Sequence, residues 1–277
     1  MAEQPDHDDF VEEVWRSYLT TGEIPGFRDR RPYSYQTMRR VFRSLPHDPR
    51  CHLCHAPFAG IGGSISRLLM NIRPSTLNPL ICDLCEQFAK EHQGGAEVEL
   101  SMLFADVRGS TQLAENSSPI EFSRLINRFY KATADVLVHS NALIEKLIGD
   151  AVTGLFVPGI AGTDHARVAV DAAQKVLREV GHVDGQTPWA PVGVGVHTGR
   201  AYVGAVGSSA GVMTISALGD DVNTTARLAS QAGPGEIIVS DVAARAANLD
   251  VSSLEARRLQ LKGRSEAVDV HVIRPIP

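Results

Sequence analysis

The order of the apolar segments in the middle and later part of the chain constrains the fold most. A strand pattern ends at Asp106, and a capping box at Ser118–Glu121 then opens a long helix with one apolar face. Two β-type runs flank Gly149-Asp150, and a second helical segment over about 164–180 leads to alternating valines at Val192–Val196. Strand, helix, hairpin, helix and strand is the β-α-β-β-α-β order of a ferredoxin-like palm, so we predict an α+β fold.

The first predicted strand ends on a carboxylate that is followed by a turn rich in hydrogen-bond donors. Asp106 closes the strand, and Gly109, Ser110 and Thr111 follow shortly after it. A carboxylate beside exposed backbone N–H groups suits a hard metal ion that carries phosphate oxygens. If the later hairpin pairs beside this strand, its Asp150 comes next to Asp106. Two such carboxylates can hold two Mg²⁺ ions for an in-line attack at phosphorus.

Length and composition are those of a folded domain with a smaller module. The chain has 277 residues and a net charge of -5, which disfavours a protein that coats nucleic acid. No run of about eighteen apolar residues occurs, so we predict no membrane span. The acidic start, Met1–Phe10, lacks the apolar core of a secretory signal, so we expect a cytoplasmic protein.

Residues 1–50 are predicted to form a helical and partly disordered leader. Apolar residues between Phe10 and Tyr18 recur at helical spacing, which predicts a short amphipathic helix. The arginines that follow are Arg28, Arg30, Arg31, Arg39, Arg40 and Arg43. Such a cluster can bind nucleic acid or lipid headgroups, but more often it forms a solvated helix face or an intramolecular contact.

The cysteines predict a metal-binding module over residues 51–94. All four fall in two C-x-x-C pairs with 27 residues between the pairs: Cys51, Cys54, Cys82 and Cys85. Two pairs with no cysteine to spare match a tetrahedral Cys₄ site for structural zinc. Rubredoxin-like iron takes the same ligands, and the pattern also allows a redox dithiol or unligated thiols. His52 or His55 could replace a thiolate, although a non-ligand role is commoner. A helix after the second pair would make the module treble-clef-like.

The catalytic domain is predicted over residues 95–277, because Gly94-Gly95 marks a boundary. Asp220 or Asp221 is predicted to cap a helix on which Asn223 and Arg227 share a face. An amide and a guanidinium one turn apart can hold a sugar and a phosphoryl group together, although a surface pair has the same spacing.

Three further features lie near the end of the chain. His197 follows the alternating valines, and because a hydrogen-bonded core histidine is commoner than a metal ligand or base, we leave it out of the site. We predict a closing hairpin that pairs Leu259–Gly263 with Val268–Val272. Lys262, just before a glycine, could reach a phosphate or be an ordinary solvated lysine.

These motifs together resemble the catalytic domain of the class III nucleotidyl cyclases. The similar stretches follow the family's order over about residues 97–275: Phe104–Thr111, Lys146–Asp150, His197–Gly199, Leu218–Leu228 and Lys262-Gly263. The cysteine module lies outside this resemblance. The Gly-Gly-Asp-Glu-Phe motif of diguanylate cyclases, which share the palm, is absent from the sequence.

The resemblance implies a metal and phosphate site. Asp106 and Asp150 are similar to the family's two metal carboxylates, with the Val107 carbonyl as a further ligand of two Mg²⁺ or Mn²⁺ ions per site. The backbone from Val107 to Thr111 would cradle the β- and γ-phosphates, and Lys262 would meet the triphosphate.

The resemblance also implies how ribose and base are bound. Asn223 is similar to the family's ribose-orienting amide and Arg227 to its transition-state arginine. Lys146 occupies the position of the purine-selecting lysine, and Ser216 falls where adenylyl cyclases carry Asp or Thr. An ammonium only donates, so Lys146 needs an acceptor, which adenine N1 is and guanine N1–H is not. A Ser216 hydroxyl that accepts from the adenine N6 amino group completes the prediction of ATP as substrate.

The implied activity is that of an adenylate cyclase, with guanylate cyclase less favoured. The ribose 3′-oxygen attacks the α-phosphorus in line, pyrophosphate leaves and 3′,5′-cyclic AMP forms. In this family the metal carboxylates and the remaining groups come from different subunits, so the resemblance implies a homodimer with two shared sites. A rival hypothesis is a catalytically silent domain that binds nucleotide and signals through the zinc module. A third makes that module an adaptor for a protein or nucleic acid partner.

Overall fold

The computed structural model describes residues 7–25, 35–46, 49–76, 81–183, 187–207, 213–261 and 266–274, without the side chains of Lys146, Ile148 and Met213. The chain folds into two compact units. Unit 1 comprises Met1–Val98, Val157–Ile160 and Ala201–Leu218. Unit 2 comprises Glu99–Phe156, Ala161–Arg200 and Gly219–Pro277. The domain boundaries drawn from the sequence remain a prediction.

The described residues form helices and strands in the following order. The helices are α1 (His7–Thr21), α2 (Tyr35–Ser44), α3 (Gly60–Met70), α4 (Asp83–Glu91), α5 (Ser110–Glu115), α6 (Pro119–His139), α7 (Pro158–Ala161), α8 (His165–Glu179), α9 (Asp220–Gln231) and α10 (Asp241–Ala246). The strands are β1 (Gly95–Val107), β2 (Leu143–Ile148), β3 (Ala151–Phe156), β4 (Val192–Gly207), β5 (Met213–Leu218), β6 (Ile237–Ser240), β7 (Glu255–Leu259) and β8 (Val268–Ile273). None of these helices is long and apolar enough to cross a membrane.

The sheet of unit 2 has the strand order β2-β3-β1-β4-β6-β8-β7. Its first four strands have the neighbours that a β-α-β-β-α-β palm requires, with α6 and α8 as the connecting helices. Strand β1 pairs antiparallel with β3, and β4 pairs in parallel with β6. The predicted α+β palm is therefore confirmed.

The two long helices of unit 2 begin where the sequence predicts. Ser118 and Glu121 form a reciprocal capping box, in which each side chain accepts the other residue's backbone N–H. Pro119 occupies the first turn of α6, where its missing N–H costs nothing. The apolar faces of α6, α8 and the sheet bury a common core that includes Phe129, Leu137, Val170, Val176, Leu177, Val194 and Val239. Each large buried apolar side chain contributes about 1.5–3 kcal/mol to folding.

Unit 1 is organised around aromatic side chains. Trp15 and Tyr18 on α1 are buried, so the predicted amphipathic helix is confirmed. The Trp15 ring packs on Phe88 of α4 with centroids 5.2 Å apart, and the Tyr18 ring meets Tyr35 of α2 edge-on at 5.3 Å. Strand β5 pairs antiparallel with the end of β4.

Two predictions about the last third of the chain are wrong in detail. Gly219, not Asp220 or Asp221, is the N-cap of α9, and both acids lie in the first turn, where negative charge suits the helix dipole. The closing hairpin pairs β8 with β7, which ends at Leu259, the first residue of the predicted Leu259–Gly263 segment, whose last two residues lie outside the described ones. Strand β7 carries charged side chains at three of its five positions, so its sequence has no apolar strand pattern.

Candidate functional site

The end of β1 and the β2–β3 turn lie side by side in unit 2. The strand ladder places Asp106 opposite Ala151, the residue after the turn, and the Val107 N–H donates to the Asp150 carbonyl over 3.0 Å. Gly149 makes the turn with a φ of +65°, a conformation that favours glycine. The backbone therefore brings Asp106 and Asp150 to neighbouring positions.

Asp106 has one engaged and one unengaged carboxylate oxygen. Its Oδ2 forms an ion pair with the Arg108 guanidinium, whereas its Oδ1 is buried and has no hydrogen-bond partner among the described residues. A buried unpaired oxygen is costly unless a donor or a cation meets it. This oxygen, the Asp150 carboxylate and the Val107 carbonyl are hard donors of the kind that Mg²⁺ and Mn²⁺ prefer.

The turn after β1 opens onto a cleft. Gly109 is the N-cap of α5 with a φ of +67°, and nothing lies within 4 Å of where a Cβ would stand, so the backbone there is accessible. The cleft has a volume of about 630 Å³ and is lined by Ser110, Thr111, Ala114, Glu115, Phe122, Gly149 and Asp150. The predicted phosphate-binding turn and Asp150 thus share one cavity.

Tyr130 supports this cleft and was missed by the sequence analysis. Its hydroxyl donates to the Gly149 carbonyl over 2.8 Å, which ties α6 to the hairpin turn. Burial raises the pKa of Tyr130, and the negative charge of Asp150 raises it further. In the sequence, its helical position resembles that of an ordinary core aromatic such as Phe129.

Asn223 and Arg227 lie one turn apart on α9, as predicted. Asn223 is exposed, and Arg227 is half-buried with an Nη1 that has no hydrogen-bond partner among the described residues. The described residues that line the cleft all lie between Ser110 and Asp150, and none comes from α9.

His197 is a core histidine, as predicted. It is buried, with Nδ1 2.7 Å from the Ser240 hydroxyl and Nε2 3.1 Å from Asp221 Oδ1. The second oxygen of Asp221 accepts the Arg200 N–H over 2.9 Å. These contacts fix the start of α9 against β4.

The four cysteines converge in unit 1. All are buried free thiols whose sulfur atoms lie within 4.8 Å of one another, with Cys54 and Cys82 sulfurs 3.6 Å apart. Backbone N–H groups of Cys54 and Cys82 point at the Cys51 sulfur over 3.5 and 3.3 Å, which favours a thiolate there. A tetrahedral ion with Zn–S bonds of about 2.3 Å needs sulfurs about 3.8 Å apart. The cluster therefore fits zinc.

Unit 1 also contains a buried pair of polar side chains, Arg39 and His55. Arg39 on α2 lies 3.0 Å from His55 Nε2, and both side chains are buried. The Tyr35 hydroxyl lies 3.9 Å from the Cys85 sulfur. His55 is thus engaged by Arg39 and does not join the sulfur cluster, and Arg39 makes the intramolecular contact predicted for the arginines. Arg28, Arg30 and Arg31 lie outside the described residues.

Three predicted substrate residues remain: Ser216, Lys146 and Lys262. Ser216 is buried on β5 in unit 1, opposite Gly204 of β4. Lys146 is opposite Thr153 in the β2–β3 ladder, but its side chain is not among those described. Lys262 also lies outside the described residues.

Proteins with similar sequences include nucleotide cyclases. The model of the family described as the adenylate and guanylate cyclase catalytic domain matches residues 93–274. An adenylate cyclase of Anabaena cylindrica is 30% identical over 186 residues, which cover 63% of this chain and 36% of that protein. The chain thus spans about a third of the length of this relative.

Solved cyclase structures share the fold. The guanylyl cyclase Cya2 is 28% identical, with a TM-score of 0.58 over 65% of this chain and 93% of that chain. The adenylyl cyclase CyaB from P. aeruginosa is 24% identical, with a TM-score of 0.54 over 64% of this chain and 94% of that chain. The cysteine cluster precedes the region that the family model covers.

Proposed function

Because the chain belongs to the adenylate and guanylate cyclase catalytic-domain family, we propose that it converts ATP to 3′,5′-cyclic AMP and pyrophosphate. The observation that carries this proposal is the pairing of β1 with the β2–β3 hairpin. That pairing puts Asp106 beside Asp150, which lines the cleft together with the Ser110-Thr111 turn. Two acids beside a donor-rich turn are the parts that phosphoryl chemistry with divalent ions requires.

Residues at the end of β1 and in the hairpin turn would hold the metal and the phosphates. Asp106 through Oδ1, the Asp150 carboxylate and the Val107 carbonyl would bind two Mg²⁺ or Mn²⁺ ions. When bound, these ions lower the pKa of the ribose 3′-OH and neutralise triphosphate charge. The backbone of Gly109–Thr111 would donate to phosphate oxygens, with Lys262 as their charged partner.

Residues of α9 would act on the ribose and the reacting phosphoryl group. Asn223 would hold the ribose so that its 3′-oxygen faces the α-phosphorus in line with the leaving pyrophosphate. Arg227 would stabilise the negative charge that grows on the α-phosphoryl group, and its buried Nη1 has no hydrogen-bond partner among the described residues, which leaves a donor for that charge.

The proposed enzyme is a homodimer in which each site takes Asp106 and Asp150 from one protomer and Asn223 and Arg227 from the other. The absence of α9 residues from the described lining of the cleft supports this division. A 1:1 mixture of Asp106→Ala and Arg227→Ala proteins should recover about a quarter of wild-type activity, because half of the dimers are mixed and each holds one intact site. Each variant alone is the control. No recovery after demonstrated subunit exchange would contradict shared sites.

ATP is the proposed substrate because an ammonium at Lys146 suits adenine N1 and a hydroxyl at Ser216 suits the N6 amino group. Similarity to the Anabaena adenylate cyclase supports this choice, whereas similarity to the Cya2 guanylyl cyclase favours GTP as the second candidate. The deciding measurement is kcat/KM for both nucleotides with Mn²⁺ and with Mg²⁺. A higher value for GTP would replace the ATP proposal.

The cysteine cluster is proposed to hold structural zinc, which would fix the first cysteine turn against the start of α4. The burial and mutual distances of the four sulfurs support this assignment. Metal analysis of the purified chain should find about one zinc per chain. Iron in that amount would indicate a rubredoxin-like site. The absence of both zinc and iron would contradict both assignments.

A further inference from the structure

Arg108 has no role in the proposed reaction, yet it joins three parts of unit 2. It follows Asp106 by two residues at the end of β1, and its guanidinium pairs with Asp106 Oδ2. Its Nη1 donates to the Ser230 carbonyl over 3.0 Å, and its backbone N–H donates to the Pro191 carbonyl over 2.6 Å. About a fifth of the side chain is exposed.

The hydrogen bond from Arg108 to the Ser230 carbonyl caps the C-terminal end of α9. The helix ends at Gln231, so the Ser230 carbonyl is one of those without a partner inside the helix. A cation at this end is also favourable for the helix dipole. Because α9 carries Asn223 and Arg227, one arginine connects a proposed metal carboxylate to the helix of the proposed transition-state residues.

We propose that Arg108 is a positioning residue for Asp106, which it holds by Oδ2 against the end of α9 so that Asp106 offers Oδ1 alone to a divalent cation. The inference rests on the proposed function for the identity of the cation site. In the proposed dimer, α9 serves the other site. Arg108 would therefore link the metal carboxylate of one site to the ribose and transition-state helix of the second.

Loss of Arg108 should have two opposite effects. A positive charge beside a cation site weakens cation binding, so its removal should tighten Mn²⁺ binding about tenfold. Without the arginine, Asp106 is free to rotate and the end of α9 loses its donor, so kcat should fall about tenfold. A residue that only supports the fold would weaken cation binding and lower kcat together.

The test measures Mn²⁺ binding to the full chain by electron paramagnetic resonance without nucleotide, and separately kcat and KM for nucleotide turnover. Arg108→Gln should bind Mn²⁺ about tenfold more tightly and turn over about tenfold more slowly. Arg108→Lys keeps the charge but cannot form both contacts, so its Mn²⁺ affinity should stay within about twofold of wild type while kcat falls. Asp106→Asn assigns the bound ion to this site. Arg124→Gln, which removes an exposed charge of α6, should change neither quantity.

Unchanged or weaker Mn²⁺ binding by Arg108→Gln would overturn the proposal, since that measurement needs no turnover. If the wild-type chain forms no cyclic nucleotide, the proposed function fails while the binding result still decides the role of Arg108. If Arg108→Gln does not fold, Arg108→Lys decides the question, because a wild-type kcat in that variant contradicts the proposed positioning.

Discussion

The two proposed metal sites, the cysteine cluster of unit 1 and the carboxylate site of unit 2, differ in the completeness of their ligand sets. Four buried sulfurs from two short motifs form a complete ligand set within one chain. The carboxylate site has two acids, one at the end of β1 and one in the β2–β3 turn, and the first is partly engaged by Arg108. A complete set suits a structural ion, whereas an incomplete one leaves positions for substrate and water.

The difference between the two sites predicts which property is lost with the metal, stability or turnover. In a closed site, whose ligands all come from the protein, the free energy of metal binding stabilises the fold, because the unfolded chain has no such site. In an open site, which leaves metal positions for substrate and water, the fold forms without the metal. The metal there contributes to the reaction. Removal of zinc should therefore lower the stability of unit 1, and loss of a carboxylate should lower turnover in unit 2.

The largest expected effect is that of breaking the closed site. Cys82→Ser removes one of four ligands, and the free energy of unfolding of unit 1 should fall by on the order of 5 kcal/mol, with loss of zinc. Metal analysis and thermal unfolding check this prediction. Ser64→Ala, at an exposed position of α3, is the control and should melt like wild type. A Cys82→Ser protein with full zinc content would show that the cluster is not the ligand set.

The open site should lose activity instead of stability. Asp106→Asn keeps the shape of the side chain but removes the charge that a divalent ion requires, so kcat should fall about a thousandfold, or about 4 kcal/mol. Cyclic nucleotide formation and thermal unfolding are measured together. Asp135→Asn, which removes a solvent-exposed ion pair with Lys131 on α6, should leave both unchanged. If Asp106→Asn retained more than a tenth of the activity, Asp106 would not be a metal ligand.

Local sequence patterns were sufficient for much of this comparison. The two C-x-x-C pairs predicted a four-sulfur cluster, and the order of strands and helices predicted the palm and the proximity of Asp106 to Asp150. These features are encoded in spacing, periodicity and turn residues, which act over a few positions.

The supporting contacts could not be predicted because they join residues distant in sequence. Arg108 and Ser230 are 122 residues apart, and Arg39 and His55 belong to different elements of unit 1. The only local sign of Arg108's role is its position two residues after Asp106, in the turn that follows β1. Strand β7 was missed because its charged residues pair with charges elsewhere in the fold.

A smaller effect concerns the polar support of the closed site. Arg39→Met removes one hydrogen-bonding partner of buried His55, and the free energy of unfolding of unit 1 should fall by about 2–3 kcal/mol while zinc content stays near one per chain. Calorimetry and metal analysis check it. Arg40→Met, at the exposed neighbouring position, is the matched control. Loss of zinc from Arg39→Met alone would mean that the arginine stabilises the bound thiolates directly.

The smallest expected effect is on the pH dependence of stability, and it is expected in unit 2 alone. Hydrogen bonds from Arg257, with help from the Gly233 N–H and Arg274, lower the pKa of Glu236 in unit 2 to about 2. A carboxyl whose pKa is lower in the folded state stabilises the protein fully above its unfolded pKa of about 4.5, and this stabilisation is lost as the pH falls towards 2. After solvent screening it amounts to about 1 kcal/mol.

Acid should act on the closed site first, because protonation of the thiolates releases zinc at a higher pH than protonation of Glu236. Glu236→Gln should therefore reduce the pH dependence of stability between about pH 4.5 and 2 by about 1 kcal/mol and leave the pH of zinc release unchanged. Zinc release is followed with a chelating dye and unfolding of unit 2 by circular dichroism, with exposed Glu266→Gln as the control. If zinc release shifted in Glu236→Gln, the stabilities of the two units would be coupled, and the two proposed metal sites would not respond to acid separately.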